Sequence, residues 1–150
     1  MQLTPNCNQH ILLADDDEDD LLLFEDALKE ICPEKRNLRT APNGLHLMRL
    51  LLESSTGSPD IIFLDLNMPV KNGLQCLTEI RLHEKLKTIP IVIFSTSTQP
   101  ETINKVYKEG ANLYIRKPGS FTRLKAVIEK VLSIDWQNNA SQPPKEDFVL

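Results

Sequence analysis

Apolar and polar positions along the chain fall into two alternating rhythms. Short apolar runs at 11–14, 61–64 and 91–94 are bounded by turn residues and read as strands buried on both faces. Between them apolar residues recur at spacings of three and four, as on the inward stripe of a helix. The pattern predicts a strand over His10–Ala14 and a helix from about Glu18 to Ile31, with Leu21, Phe24, Leu28 and Ile31 on one stripe. A weaker strand, Leu38–Ala41, precedes a helix from about Gly44 to Glu53. A strand over Asp60–Leu64 leads to a helix from Gly73 to about Glu84, with Leu74, Leu77, Ile80 and Leu82 inward. A strand through "IPIVIFS", a short helix over Pro100–Glu109 and a strand over Leu113–Arg116 follow. Ser120 is placed to cap a last helix, Phe121–Ile134.

Strands alternating with helices imply an α/β fold with a parallel sheet covered on both faces and right-handed crossovers. We place an N-terminal extension at 1–9 and one folded domain at 10–135. Residues 136–150 are polar and proline-containing, and are expected to form a flexible tail.

Composition narrows the class. With 150 residues, 41% apolar and 25% charged, the chain is long enough for one substantial core. No apolar run reaches the length of a membrane span. The first ten residues lack the pattern of a signal peptide, so a cytoplasmic location and no membrane insertion are expected. Cys7, Cys32 and Cys76 are widely spaced and read as reduced thiols, and the three histidines carry no metal spacing. The net charge of −4 argues against a nucleic-acid partner. Charge is unevenly spread: Ile11–Glu30 holds nine acids and one Lys, whereas Pro100–Ile134 holds seven Lys or Arg and three acids.

The chemistry lies where strands end. The first ends in Asp15 and Asp16, within a run of six acids, and the third ends in Asp65. The fourth ends in Ser95 and Thr96, and the fifth is followed by Lys117. Ligands of open parallel sheets bind outside the carboxyl ends of the strands. If the strand order is 2-1-3-4-5, the acids of strands one and three meet. Crowded carboxylates repel, and a hard cation such as Mg2+ relieves that repulsion. Lys117 can bind a phosphoryl oxygen, Ser95 and a backbone N–H near Thr96 can donate hydrogen bonds, and Asp65 can act as a nucleophile. Asp17 to Asp20 read as solvated surface.

In order and at these spacings, "ILLADDD", "FLDLNMPVKNG", "IPIVIFST" and "GANLYIRKP" resemble the receiver domain of two-component response regulators, of the single-domain kind that lacks an output domain. The resemblance covers about residues 10–134. It implies a flavodoxin-like, doubly wound (βα)5 sheet in the order 2-1-3-4-5, with Asp65 as phosphoacceptor. It implies that Asp16 binds Mg2+ directly, Asp15 assists, and Asn67 adds a backbone carbonyl. Lys117 would pair with the phosphoryl group, ahead of a cis bond to Pro118. Ser95 would be the switch hydroxyl and Tyr114 the switch aromatic, while Asn67 and Ser97 would tune dephosphorylation. The implied partners are a sensor histidine kinase or a histidine phosphotransfer protein, and a downstream target or second copy on the face of the fourth helix, fifth strand and fifth helix. Such a protein is not a multiple-turnover enzyme, although it catalyses its own phosphorylation and slow dephosphorylation.

Two other readings stand beside this one. A phosphatase of the haloacid dehalogenase kind needs an Asp two residues after its nucleophile, where this chain has Asn67. A phosphorylation-independent adaptor usually loses an acid or the Lys, whereas this chain keeps the set.

Overall fold

A computed structural model describes residues 4–34, 36–53, 57–138 and 141–150. The elements are β1 (His10–Ala14), α1 (Glu18–Ile31), β2 (Asn37–Ala41), α2 (Gly44–Leu52), β3 (Ile61–Leu64), α3 (Gly73–Leu82), β4 (Ile91–Ser95), α4 (Pro100–Lys108), β5 (Leu113–Arg116) and α5 (Phe121–Leu132). The strands are all parallel, in the order β2-β1-β3-β4-β5.

Alternation along the strands sorts the core into two layers. Ile11, Leu13, Ile61, Phe63, Val92 and Phe94 face α1 and α5, where Phe24, Leu28, Leu124 and Ile128 cover them. Leu12, Ala14, Ile62, Leu64, Ile91 and Ile93 face α2, α3 and α4, where Leu47, Leu77, Ile80 and Val106 cover them. Burial on both sides explains why these strands read as unbroken apolar runs. Of the residues expected inward on α3, Leu77 and Ile80 are fully buried, whereas Leu82 is 80% exposed because it lies roughly 200° round the helix from Ile80. Cys76 takes an inward place instead.

Helix starts are fixed by side chains that satisfy free backbone N–H groups. Asp17 caps α1, Asn43 caps α2 and Ser120 caps α5. Asn72 caps α3 in a reciprocal arrangement with Gln75.

Three expectations are corrected. Residues 141–150 are not a loose tail, because Phe148 is fully buried and Val149 bridges to Tyr114 in parallel, extending the sheet past β5. The physical reason is that β5 is an edge strand with unpaired backbone groups and an apolar surface beside it. Cys7 and Cys32 are not separate thiols but form a disulfide with their Cα atoms 5.7 Å apart; only the fold brings residues 25 apart in sequence together. Cys76 is a free, buried thiol. Among the described residues no peptide bond is cis, so Lys117–Pro118 is trans. The segment before β1 is also tied down, since the Asn6 N–H and Gln9 Nε2 both donate to the Leu132 carbonyl at the end of α5.

Candidate functional site

The ends of β1 and β3 are locked side by side. Ala14 and Leu64 are register partners, and the Asp65 N–H donates to the Ala14 carbonyl at 2.9 Å. Asp15 continues β1 by donating to the Ala41 carbonyl. Both acids therefore sit one residue past the paired register, where the strands leave the core. Asp15 and Asp65 are buried, and Asp16 is exposed. One carboxylate oxygen from each lies within 4.8 Å of the others.

Lys117 reaches this cluster from the end of β5. Its N–H donates to the Ser95 carbonyl at 2.9 Å, which continues the β4–β5 ladder. Its Nζ lies 2.8 Å from Asp15 Oδ2, 2.8 Å from Asp20 Oδ2 and 3.7 Å from Asp65 Oδ2. It also stands 5.5 Å from the centre of the Phe94 ring.

Asp20 overturns the reading of Asp17 to Asp20 as plain surface. Once Asp17 caps α1 by accepting from the Asp19 and Asp20 N–H groups, Asp20 lies in the first helical turn, beside Lys117. A capping residue three positions ahead was the available signal.

Burial and the neighbouring Asp15 charge push the Asp65 carboxyl up to about 7, against the opposing pull of Lys117 and the Asn67 N–H. Burial alone would lower the Lys117 ammonium, but the close carboxylates of Asp15, Asp20 and Asp65 outweigh it and raise it. Asp65 is thus under-compensated, while Lys117 is firmly charged. Asp15 Oδ2 is buried and, although near Lys117 Nζ, has no aligned hydrogen-bond donor. A cluster of hard oxygens with one unsatisfied lone pair and a raised carboxyl fits a divalent cation of the Mg2+ kind.

The acceptor loop is shaped by two residues. A Cβ on Gly73 would lie 2.2 Å from the Asp65 carbonyl oxygen, so only glycine lets α3 start this close to the acceptor. Val70 has φ of 69°, and the Lys71 N–H closes back on the Pro69 carbonyl at 2.7 Å. That is a three-residue turn of the positive-φ kind, which strains a β-branched side chain.

The other anticipated residues gather more loosely. Asn67 is exposed, its N–H 3.5 Å from Asp65 Oδ1. Ser95 is fully buried, and its Oγ accepts from the Ser97 N–H at 3.2 Å. Thr96 is exposed. Tyr114 is fully buried at β5 and its hydroxyl donates to the Ser97 carbonyl at 2.8 Å, which connects the β4–α4 loop to the sheet edge.

Comparison with known proteins agrees with this architecture. The response regulator receiver domain family matches residues 11–129, and the chain belongs to that family. The probable methanogenesis regulatory protein FilR2 of Methanothrix harundinacea is 31% identical, covering 81% of this chain and 79% of its own. The response regulator Rcp1 of Synechocystis is 29% identical, covering 89% of this chain and 92% of its own. Among solved structures, the Mn(2+)-bound form of Rcp1 superposes with a TM-score of 0.76 at 29% identity, over 90% of this chain and 99% of that one. The phosphorylated phytochrome response regulator RcpA does so with a TM-score of 0.76 at 28% identity, over 91% and 98%. The chain therefore carries a receiver domain of two-component signalling, a class of signalling proteins and not of turnover enzymes. Among the described residues, no helix is long and apolar enough to cross a membrane.

Proposed function

We propose that the protein accepts a phosphoryl group on Asp65 from a sensor histidine kinase or a histidine phosphotransfer protein and relays that event through the α4-β5-α5 face. The observation that carries this reading is a buried carboxylate at a strand end, with a firmly charged Lys117 ammonium 3.7 Å away and two further acids beside it. In the transfer, an Asp65 carboxylate oxygen forms a bond to phosphorus as the bond from phosphorus to the donor nitrogen breaks. The imidazole leaves and retains its electron pair. Lys117 would offset charge on the phosphoryl oxygens, and the Ser95 hydroxyl and the Thr96 N–H would donate to them. Asp15, Asp16, Asp65 and the Asn67 carbonyl would hold Mg2+. When bound, the ion supplies positive charge against the phosphoryl oxygens. Asn67, whose N–H lies 3.5 Å from Asp65 Oδ1, and Ser97, hydrogen-bonded to Ser95, would tune the slow self-catalysed dephosphorylation by flanking the path of the hydrolytic water.

Engagement of the phosphoryl group by Ser95 would redraw the β4–α4 loop, to which Tyr114 is bonded, and shift the population of states at the α4-β5-α5 face. A downstream protein or a second copy of the chain would read that face. The basic run from Lys105 to Lys130 favours an acidic protein surface over nucleic acid. We place the protein in the cytoplasm, where histidine kinases present their phosphoryl groups.

The test is mass spectrometry after incubation with phosphoramidate or acetyl phosphate and Mg2+. One alkali-labile phosphoryl group should appear, and Asp65→Asn should not gain it. An equally labelled Asp65→Asn variant overturns the assignment. An unlabelled native chain that still binds its partner would favour the adaptor reading. Steady hydrolysis of a generic phosphate ester would favour the phosphatase.

A further inference from the structure

Segment 141–150 sits on the sheet like a bound peptide. The Tyr114 N–H donates to the Phe148 carbonyl at 2.9 Å, and the Leu150 N–H donates to the Tyr114 carbonyl at 2.9 Å. Both outward backbone groups of one edge residue are thereby used, with Val149 as the bridging partner. Phe148 is fully buried, with its ring 4.9 Å from Tyr107 and 6.2 Å from Tyr114. The approach is anchored as well. Tyr107 Oη donates to the Pro143 carbonyl at 2.9 Å, and Gln142 Nε2 donates to the Tyr107 and Ala111 carbonyls.

This is the anatomy of strand-addition recognition: backbone ladder bonds supply affinity, and a pocket for one side chain supplies selectivity. The surface lies on the face named above as output. The residue it grips, Tyr114, is the one whose hydroxyl holds the β4–α4 loop at Ser97. Any partner that wants the β5 edge finds it already occupied.

We infer that the β5 edge and the aromatic pocket between Tyr107 and Tyr114 form a peptide-binding groove with segment 141–150 as its resident ligand. A protein partner engages it by displacing that segment with an extended strand of the same chemistry, an aromatic residue followed by aliphatic ones. The output role of the face rests on the function proposed above; the groove itself does not. A tethered ligand acts at an effective concentration in roughly the millimolar range. Displacement therefore demands a strand that binds well below that concentration, or a change at Tyr114 that loosens the resident one.

The experiment uses the full chain and a fluorescent synthetic peptide of residues 141–150, without phosphodonor. Phe148→Ala empties the pocket, and Leu150→Pro removes one ladder N–H at the cost of only a partly buried side chain at the margin of the core. Each variant should bind the peptide at least tenfold more tightly than the native chain, and a peptide with alanine in place of Phe148 should not compete. Hydrogen exchange at the Tyr114 amide should quicken in both variants and slow again on adding peptide. Equal peptide binding by native and variant chains overturns the groove, as does an unchanged Tyr114 amide. If Phe148→Ala fails to fold, Leu150→Pro decides. Peptide binding alongside an Asp65 that takes no phosphoryl group overturns the proposed function and leaves the groove. Normal labelling with no peptide binding does the reverse.

Discussion

Lys117 Nζ is as close to Asp20 as to Asp15, at 2.8 Å from each, and farther from Asp65 at 3.7 Å. The lysine assigned to the phosphoryl group is thus parked partly on an acid outside the metal cluster. Asp20→Asn removes that competing charge and lets Lys117 swing toward Asp65, which strengthens both nucleophile ionisation and phosphoryl binding. One charge-assisted hydrogen bond is worth about 1.5–3 kcal/mol, so part of that yields roughly a three- to tenfold faster phosphorylation by phosphoramidate. Tighter beryllofluoride binding should accompany it. Asp19→Ala should change neither rate, since the Asp19 N–H serves the α1 cap but its side chain is exposed. Equal effects from the two variants would show that the acidic run acts only as a diffuse field.

Asp65 also makes a pH signature. Its carboxyl titrates near 7 in the folded chain, against 3.8 in the unfolded one. The folded state therefore holds a proton that the unfolded state has already lost. With divalent cations chelated, the Asp65 contribution to stability should be full below about pH 4, fall as pH rises toward 7 and level off above it. The total is of order a few kcal/mol, reduced by solvent access at the site. Asp65→Asn should flatten this limb and raise the denaturation midpoint at pH 8. Added Mg2+ should restore stability to the native chain but not to that variant. Urea titrations between pH 4 and pH 8 measure it, and a native profile parallel to that of Asp65→Asn would refute the assignment.

The strained turn at Val70 predicts an easy gain. Its positive φ costs a β-branched residue about 1–2 kcal/mol, and its side chain is 78% exposed, so little packing is lost on replacement. Val70→Asn should raise stability by about 1 kcal/mol, visible as a higher thermal midpoint, with phosphorylation intact.

Phosphoryl lifetime should respond to Asn67→Lys and Ser97→Lys. Each places a long cation beside the approach to Asp65. A several-fold change in decay, followed by loss of label in excess cold buffer, is expected without loss of phosphorylation. Unchanged decay in both variants would reject their placement beside the water.

The output face should report site occupancy. Beryllofluoride with Mg2+ should alter hydrogen exchange over Pro100–Ile134, and Tyr114→Phe should blunt that response by removing the bond to Ser97. Phe retains the ring packed near Phe148, so the variant tests the hydroxyl and not the core. Protection confined to the loops after β1 and β3 would move the output surface elsewhere.

Much of this architecture was legible because local and global signals agree. The doubly buried strands carry unbroken apolar runs, the cap at Ser120 stands where the last helix begins, and the acids at 15 and 65 have no business at the end of a core strand unless a ligand or cation meets them. What stayed hidden depends on contacts between distant residues. Asp20 is one acid among six until the Asp17 cap orients it toward a lysine 97 positions away. Arg81 carried no motif, yet it donates to the Gly110, Lys87 and Ile89 carbonyls and to Asn112 Oδ1, joining α3 to the starts of β4 and β5. Burial lowers its guanidinium to about 10. Segment 141–150 is too polar on average to announce a strand, because a single buried aromatic and two ladder bonds suffice to seat it.

That seating also bears on solubility. A five-stranded open sheet has two edges, each a template for unwanted pairing with another chain. Here β5 is shielded by its own chain. The remaining edge, β2, is polar, carrying Asn37, Arg39 and Thr40, which discourages stacking. A chain shortened at residue 140 would bare a hydrophobic edge beside Tyr107 and lose Phe148 from the core. Such a fragment should elute as higher-order species in a concentration-dependent way, and the last ten residues would then count as a built-in guard against aggregation.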